Sequence, residues 1–237
     1  YFTTSSIERN FDVYSGQEFA QLRREAFRST DANDEYANED EVFSPAQLES
    51  IANNQFIDWE DELVKKGLVN SQTISVSGGS ESTKVFGSVN YFQQDGIIPT
   101  SKYVRKTLRL NIDQKVSDKI SVNFDLNLLN DDTDRAANVN LITTSPLGRA
   151  YNDDGSLTQF PSGEDGSTTS PLWNLREQNS DERGNDYVIN VTPIWQITDN
   201  LKYQLKTNFT RRTTESGQYL SSLSSAGDDV RGIARIQ

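Results

Sequence analysis

Three aspartates within four positions, Asp131, Asp132 and Asp134, offer the hard oxygen ligands that calcium prefers. Their spacing departs from a calcium loop, in which alternating acids are closed by a distant Glu. A charged loop at the end of a strand fits them better, with calcium in such loops as the weaker alternative. A second candidate set is aromatic. Tyr151, Phe160 and Trp173 fall in one long loop, where they could stack on a sugar ring or pack on a peptide. They could equally be the small core that keeps the loop folded. Catalytic chemistry finds no frame. With no Cys and no His, thiol and imidazole catalysis and zinc ligation beyond carboxylates are closed. The many acids form no recognisable glycosidase pair. Gly78 and Gly79 lack the further glycines and following helix of a phosphate loop, so a turn is expected there. The chain reads as a non-enzyme without a cofactor.

The elements that position these residues follow from composition and period. In 237 residues the net charge is -12 and 34% are hydrophobic, with a mean hydropathy of -0.69. Such a charge repels a phosphate backbone, which excludes nucleic acid as a partner. No window approaches the roughly 18 apolar residues of a membrane helix. Transmembrane strands escape that test, because only alternate side chains meet lipid. No signal peptide and no Met are present, so the chain is expected to be a processed product or a piece of something longer.

A short β-prone start (Tyr1 to Thr4, then Phe11 to Tyr14) precedes a helical pattern. Phe19, Leu22, Arg23, Ala26 and Phe27 form one stripe at helical spacing. Ser44 and Pro45 suit the start of a second helix running through Leu48 and Ile51. The acidic stretch Asp31 to Glu41 reads as a solvated loop. From Thr73 the period changes to two. Ile120, Val122, Phe124, Leu126 and Leu128 alternate with Ser121, Asn123, Asp125 and Asn127. Val104, Leu108, Leu110 and Ile112 behave likewise, with Lys106 as the exception, and so does the run from Leu201 to Phe209. Further strands are expected over 73–77, 84–93 and 187–197, the last with Pro193 at an edge or bulge.

Short links at 77–83, 115–119 and 198–200 alternate with longer ones at 93–102, 130–186 and after Arg212. Strands of roughly 10 residues with unequal links suit a membrane barrel with short periplasmic turns and long outer loops. Tyr91, Phe92, Tyr103, Tyr187 and Trp195 suit an aromatic girdle. A soluble carbohydrate-binding β-sandwich shows the same alternation and stays open on pattern alone.

Four segments together are more specific. Ile57 Asp58 Trp59 Glu60 Asp61 Glu62 Leu63 is followed by Ser75 Val76 Ser77 Gly78 Gly79, then by Tyr91 Phe92 Gln93 Gln94 Asp95 Gly96 Ile97 Ile98 and the basic strand Tyr103 to Asp113. Their order and spacing resemble the start of the barrel in SusC/RagA-type TonB-dependent transporters, most closely from Phe43 to Leu129. The resemblance implies an all-β chain, part of a large antiparallel transmembrane barrel with helical or irregular outer loops. Family barrels have about 22 strands around a plug, against seven or eight here. The expected division is 1–15 first strand region, 16–70 outer loop with short helices, 71–129 strands, 130–186 long outer loop, and 187–237 strands and loop. The resemblance also implies a Gram-negative outer-membrane location and energised import of oligosaccharide or peptide nutrients. Implied partners are a SusD-like surface lipoprotein, membrane lipid, and TonB through a plug that these residues do not include. A structural SusC-like subunit of a larger outer-membrane assembly is the alternative.

Overall fold

A computed structural model of the chain describes residues 1–6, 13–28, 36–137, 139–140, 142–163 and 168–237. Phe11 and Asp12 of the expected early strand, and 31–35 of the acidic stretch, lie outside the described residues. The strands are β1 Phe2–Ser5, β2 Gly67–Gly79, β3 Thr83–Asp95, β4 Lys102–Lys115, β5 Ile120–Arg135, β6 Gln178–Thr198, β7 Leu201–Gln204, β8 Thr207–Leu220 and β9 Ile233–Ile236. They form one antiparallel sheet in the order β1-β2-β3-β4-β5-β6-β8-β9, with β7 also on β6.

The register turns sequence alternation into two continuous faces. Paired residues share a face, so Val76, Gly87, Leu110, Leu126, Ile189 and Phe209 line up as one cross-sheet row. On the opposite face Ser75, Ser88, Arg109, Asn127, Val188 and Thr210 form a mostly polar row. The apolar face is open, with Ile74 79% and Val76 71% exposed, while the buried apolar residues lie almost entirely outside the sheet. Burying such a face requires lipid or further protein. Along β5 the apolar run from Ile120 to Leu128 covers about 27 Å at the antiparallel rise, the scale of a lipid-facing band about 25 Å tall. Lys106 ceases to be an exception. It lies between Tyr91 and Asn130 in the row where the band ends.

The strands outrun the expected 10 residues because they continue as polar ribbon beyond this band. The loop expected at 130–186 begins instead after Arg135 and ends before Gln178, and β8 continues through Leu220 where a loop was expected after Arg212. Cross-strand polar pairs replace apolar alternation there. Arg135 bonds Glu182 at 2.9 Å, Asn130 bonds Asn185 at 3.1 Å, and Arg212 grips Asp186 with two bonds of 2.8 and 2.6 Å. Neither face alternates, so period two is invisible. Similarly, β2 starts at Gly67 rather than near Thr73. Gly78 and Gly79 close strand β2 instead of forming the turn, which falls at 80–82. A Cβ on Gly79 would sit 2.3 Å from the Thr83 carbonyl oxygen, so the tight hairpin end leaves no room for a side chain.

Pro193 lies inside the sheet, between β5 and the β7/β8 side, rather than at an edge. The register places it opposite Leu205. Leu205 N–H donates to the Pro193 carbonyl at 3.2 Å, but Pro193 has no N–H to return the bond. The run from Leu201 to Phe209, expected as one strand, therefore breaks at Leu205 and Lys206 into β7 and β8. Tyr91 and Tyr187 mark one margin of the apolar face, and Trp195 paired with Tyr203 marks the other. Phe92 and Tyr103, expected in that girdle, instead occupy the polar face, where their rings pack 6.0 Å apart.

Leu126→Arg should destabilise the folded barrel by about 2 to 4 kcal/mol, as for cations near the bilayer midplane, whereas Asn123→Arg on the polar face should cost little. Denaturant titration of the protein in lipid checks this. Equal costs at the two positions would contradict the membrane assignment of the faces.

Candidate functional site

All the long connections gather at one end of the sheet, and their packing decides where the sequence-derived candidates sit. The helices are α1 Gly16–Ala26, α2 Glu39–Val42, α3 Pro45–Ala52, α4 Trp59–Leu63 and α5 Pro171–Glu177. Local chemistry fixes their starts. Ser15 and Glu18 form a capping box on α1, Ser44 and Gln47 another on α3 with Pro45 in its first turn, and Asp58 caps α4. The last acids of the expected acidic loop belong to α2.

Two small cores bind these helices to the 136–177 segment. Ala20, Val42, Phe43 and Leu147 form the first, and Trp59, Leu63, Ala150 and Leu175 the second. Leu147 is fully buried, Phe56 bridges to it, and Ile57 N–H donates to the Pro146 carbonyl at 2.9 Å. The Trp59 indole donates to the Ser145 carbonyl at 2.9 Å, and Arg149 pairs with Glu49. One compact body thus stands over the long-loop end. The opposite end carries only tight turns.

Trp173 gives its indole N–H to the Leu223 carbonyl at 3.1 Å and carries Arg176 stacked 3.8 Å from its ring. Tyr151, 44% exposed, donates to Glu62 at 2.8 Å, which raises its phenol above the ordinary range. Phe160 is half-buried, and its carbonyl accepts from Gly163 at 3.0 Å. Each aromatic is tied to a different part of the body. Asn152 to Gly155 forms the expected hairpin tip, with Gly155 at φ +81° between the bridged Tyr151 and Leu157. Asp131, Asp132 and Asp134 lie on β5 rather than in a loop, Asp131 on the face opposite the other two. Among the described residues no group of three or more acids is placed to hold a metal ion.

Sequence reading missed a site on the polar face. Thr73, Ser88, Asn90, Arg105, Thr107, Arg109, Asn127 and Leu129 line a depression of about 300 Å³. The basic character of β4 was visible, but only the register brings these residues from four strands together.

No family model matches this sequence. Among curated proteins, TonB-dependent receptor P3 of Formosa agariphila is 26% identical over 86% of the chain, and TonB-dependent receptor P26 of the same organism is 28% identical over 65%. The chain is similar to TonB-dependent receptors. It spans 21% and 16% of these two receptors. Among solved structures, the RagAB peptide transporter superposes with a TM-score of 0.72 over 92% of the chain and 28% of its own, at 14% identity. The RagAB peptide importer in its closed-closed state gives 0.62 over 86% of the chain and 24% of its own, at 16% identity. These likenesses bear out the SusC/RagA-type resemblance and the reading as antiparallel transmembrane barrel segment. TonB-dependent receptors belong to the Gram-negative outer membrane and are not enzymes. No helix among the described residues is long and apolar enough to cross a membrane.

Leu147→Ala should loosen the loop body by about 2 to 5 kcal/mol, the range for buried Leu truncation, seen as faster protease cleavage in 136–177. Unchanged cleavage would mean that Leu147 does not hold the body together. Arg24, bonded to Glu39 at 2.6 and 3.0 Å, holds that carboxyl below its ordinary value of 4.5. A lowered carboxyl stabilises at neutral pH and loses that contribution as pH falls below 4.5. Hydrogen exchange of α1 amides, corrected for intrinsic rates, should therefore accelerate under acid in wild type but not in Glu39→Gln.

Proposed function

We propose that this chain is lumen wall and outer loop structure of a receptor that imports oligosaccharide or peptide nutrients across the outer membrane, energised by TonB. The observation that carries the reading is the pairing of a continuous apolar face with a continuous polar one, Val76 to Phe209 against Ser75 to Thr210. A wall with lipid on one side and hydrated cargo on the other requires that division. The relatives point the same way, as receptors and as a peptide transporter. Short periplasmic turns and long outer loops are the habit of such barrels, so the body built on Leu147 and Trp59 projects outside the cell in this reading. There it meets a SusD-like lipoprotein that closes over cargo, with Tyr151, Phe160 and Trp173 at or near the contact. Energy coupling belongs to a plug beyond these residues.

Deleting the receptor gene and inactivating TonB should each reduce uptake of labelled oligosaccharides or peptides to the same background. Uptake that survives either change contradicts energised import. Leu147→Asp, which places a charge in the loop core, should leave the barrel assembled but strip a co-purifying lipoprotein. Retention of that lipoprotein, with the loop body demonstrably opened to protease, would remove it as a docking surface.

A further inference from the structure

We infer that Arg105 and Arg109 build a carboxylate-binding site on the polar face. The inference rests on that face lining the lumen, and the site is defined by a mismatch of charges. Asp131 is the cross-strand partner of Arg105 and would ordinarily pair with it. The two side chains instead lean apart. Asp131 lies over Gly184 of β6, where an added Cβ would be 2.3 Å from its Oδ1. Arg105 lies over the Phe92 ring of β3, 5.2 Å from its centre. Two other acids of this face are engaged, Asp186 by Arg212 and Asp125 by the Asn111 amide at 2.6 Å.

Among the described residues, neither Arg105 nor Arg109 forms an ion pair. Both line the same depression. Two buried atoms there, Arg105 Nε and Asn127 Oδ1, have no hydrogen-bond partner, whereas buried polar atoms are ordinarily paired. One is a donor beside a cation and the other an acceptor. The missing group therefore combines a carboxylate, which suits the guanidinium fork, with a neighbouring N–H or O–H for Asn127. An acidic peptide residue and a sugar acid both have that chemistry, and so does an acidic side chain of a protein segment filling the lumen.

The test uses the purified full-length receptor in detergent and two probes, triglutamate and triglutamine, each acetylated and amidated at its ends. Wild type is expected to bind triglutamate about tenfold more tightly, equivalent to one charge-assisted hydrogen bond. Arg105→Gln with Arg109→Gln should abolish the preference without shifting the melting temperature, which assigns the carboxylate to free cargo. Alternatively, wild type shows no preference because an internal carboxylate already occupies the site. The Gln variant then lowers the melting temperature, while Arg105→Lys with Arg109→Lys largely retains it. No preference, together with equal melting of wild type, Gln and Lys variants, overturns the site. Import of uncharged cargo is measured separately, so loss of this site leaves the transport reading intact.

Discussion

The structure depends on one constraint: in hydrocarbon every backbone N–H and C=O must find its partner within the sheet. Continuous ladders between β2 and β8 meet that demand across the inner strands, whereas β1 and β9 cover only four residues each of the outer edges of β2 and β8; pairing within the sheet frees side chains to answer to the surroundings on each side. Since adjacent residues point to opposite faces, a single sequence must satisfy two solvents at once. Leu126 and Asn127 are neighbours in the chain but belong to different environments. The sheet accordingly has little core of its own, and the close-packed residues lie in the helical body above it.

What could be read from the sequence divides along the same line. Strands were legible where the two environments differ, as over Ile120 to Leu128, because alternation records that difference. They were illegible where both sides are aqueous, as over Asn130 to Arg135 and Gln178 to Asp186, because polar residues on both faces look like loop. The helix start at Ser44 was a local feature and was read from the sequence, and the capping box at Ser15, which was not, is equally local, with its partner three residues away. The polar-face depression could not. It depends on register across β2 to β5, and Arg105 is informative only when Asp131 is known to lean toward Gly184. The aromatic residues show a related limit: Phe92 and Tyr91 are adjacent, and only pairing tells which one faces the apolar side.

The loop body rests on a few fully buried contacts rather than on a large apolar interior. Leu147 joins helices that precede the main strands to a segment that follows four of them, so one side chain couples distant parts of the chain. Hydrogen bonds to backbone carbonyls reinforce it, from Trp59 to Ser145 and from Ser162 to Leu147 itself at 3.0 Å. Such contacts suit a structure whose supporting wall is already rigid. The body need only be fastened at its base.

The unequal connections also set an order of assembly. Strands β4 and β5 are joined by four residues, 116–119, whereas β5 and β6 are separated by 42, 136–177. Closing the longer link costs about 2 kcal/mol more in chain entropy if ideal loop scaling holds. Local pairing is correspondingly faster than pairing across a long separation. The β2-to-β5 meander can zip from its own short turns, whereas β6 must find its register on β5 across the longer separation. Its 16-residue ladder with β5 thus closes more slowly than those of the meander, and an insertion machine would need to shelter the free edge of β5 until then.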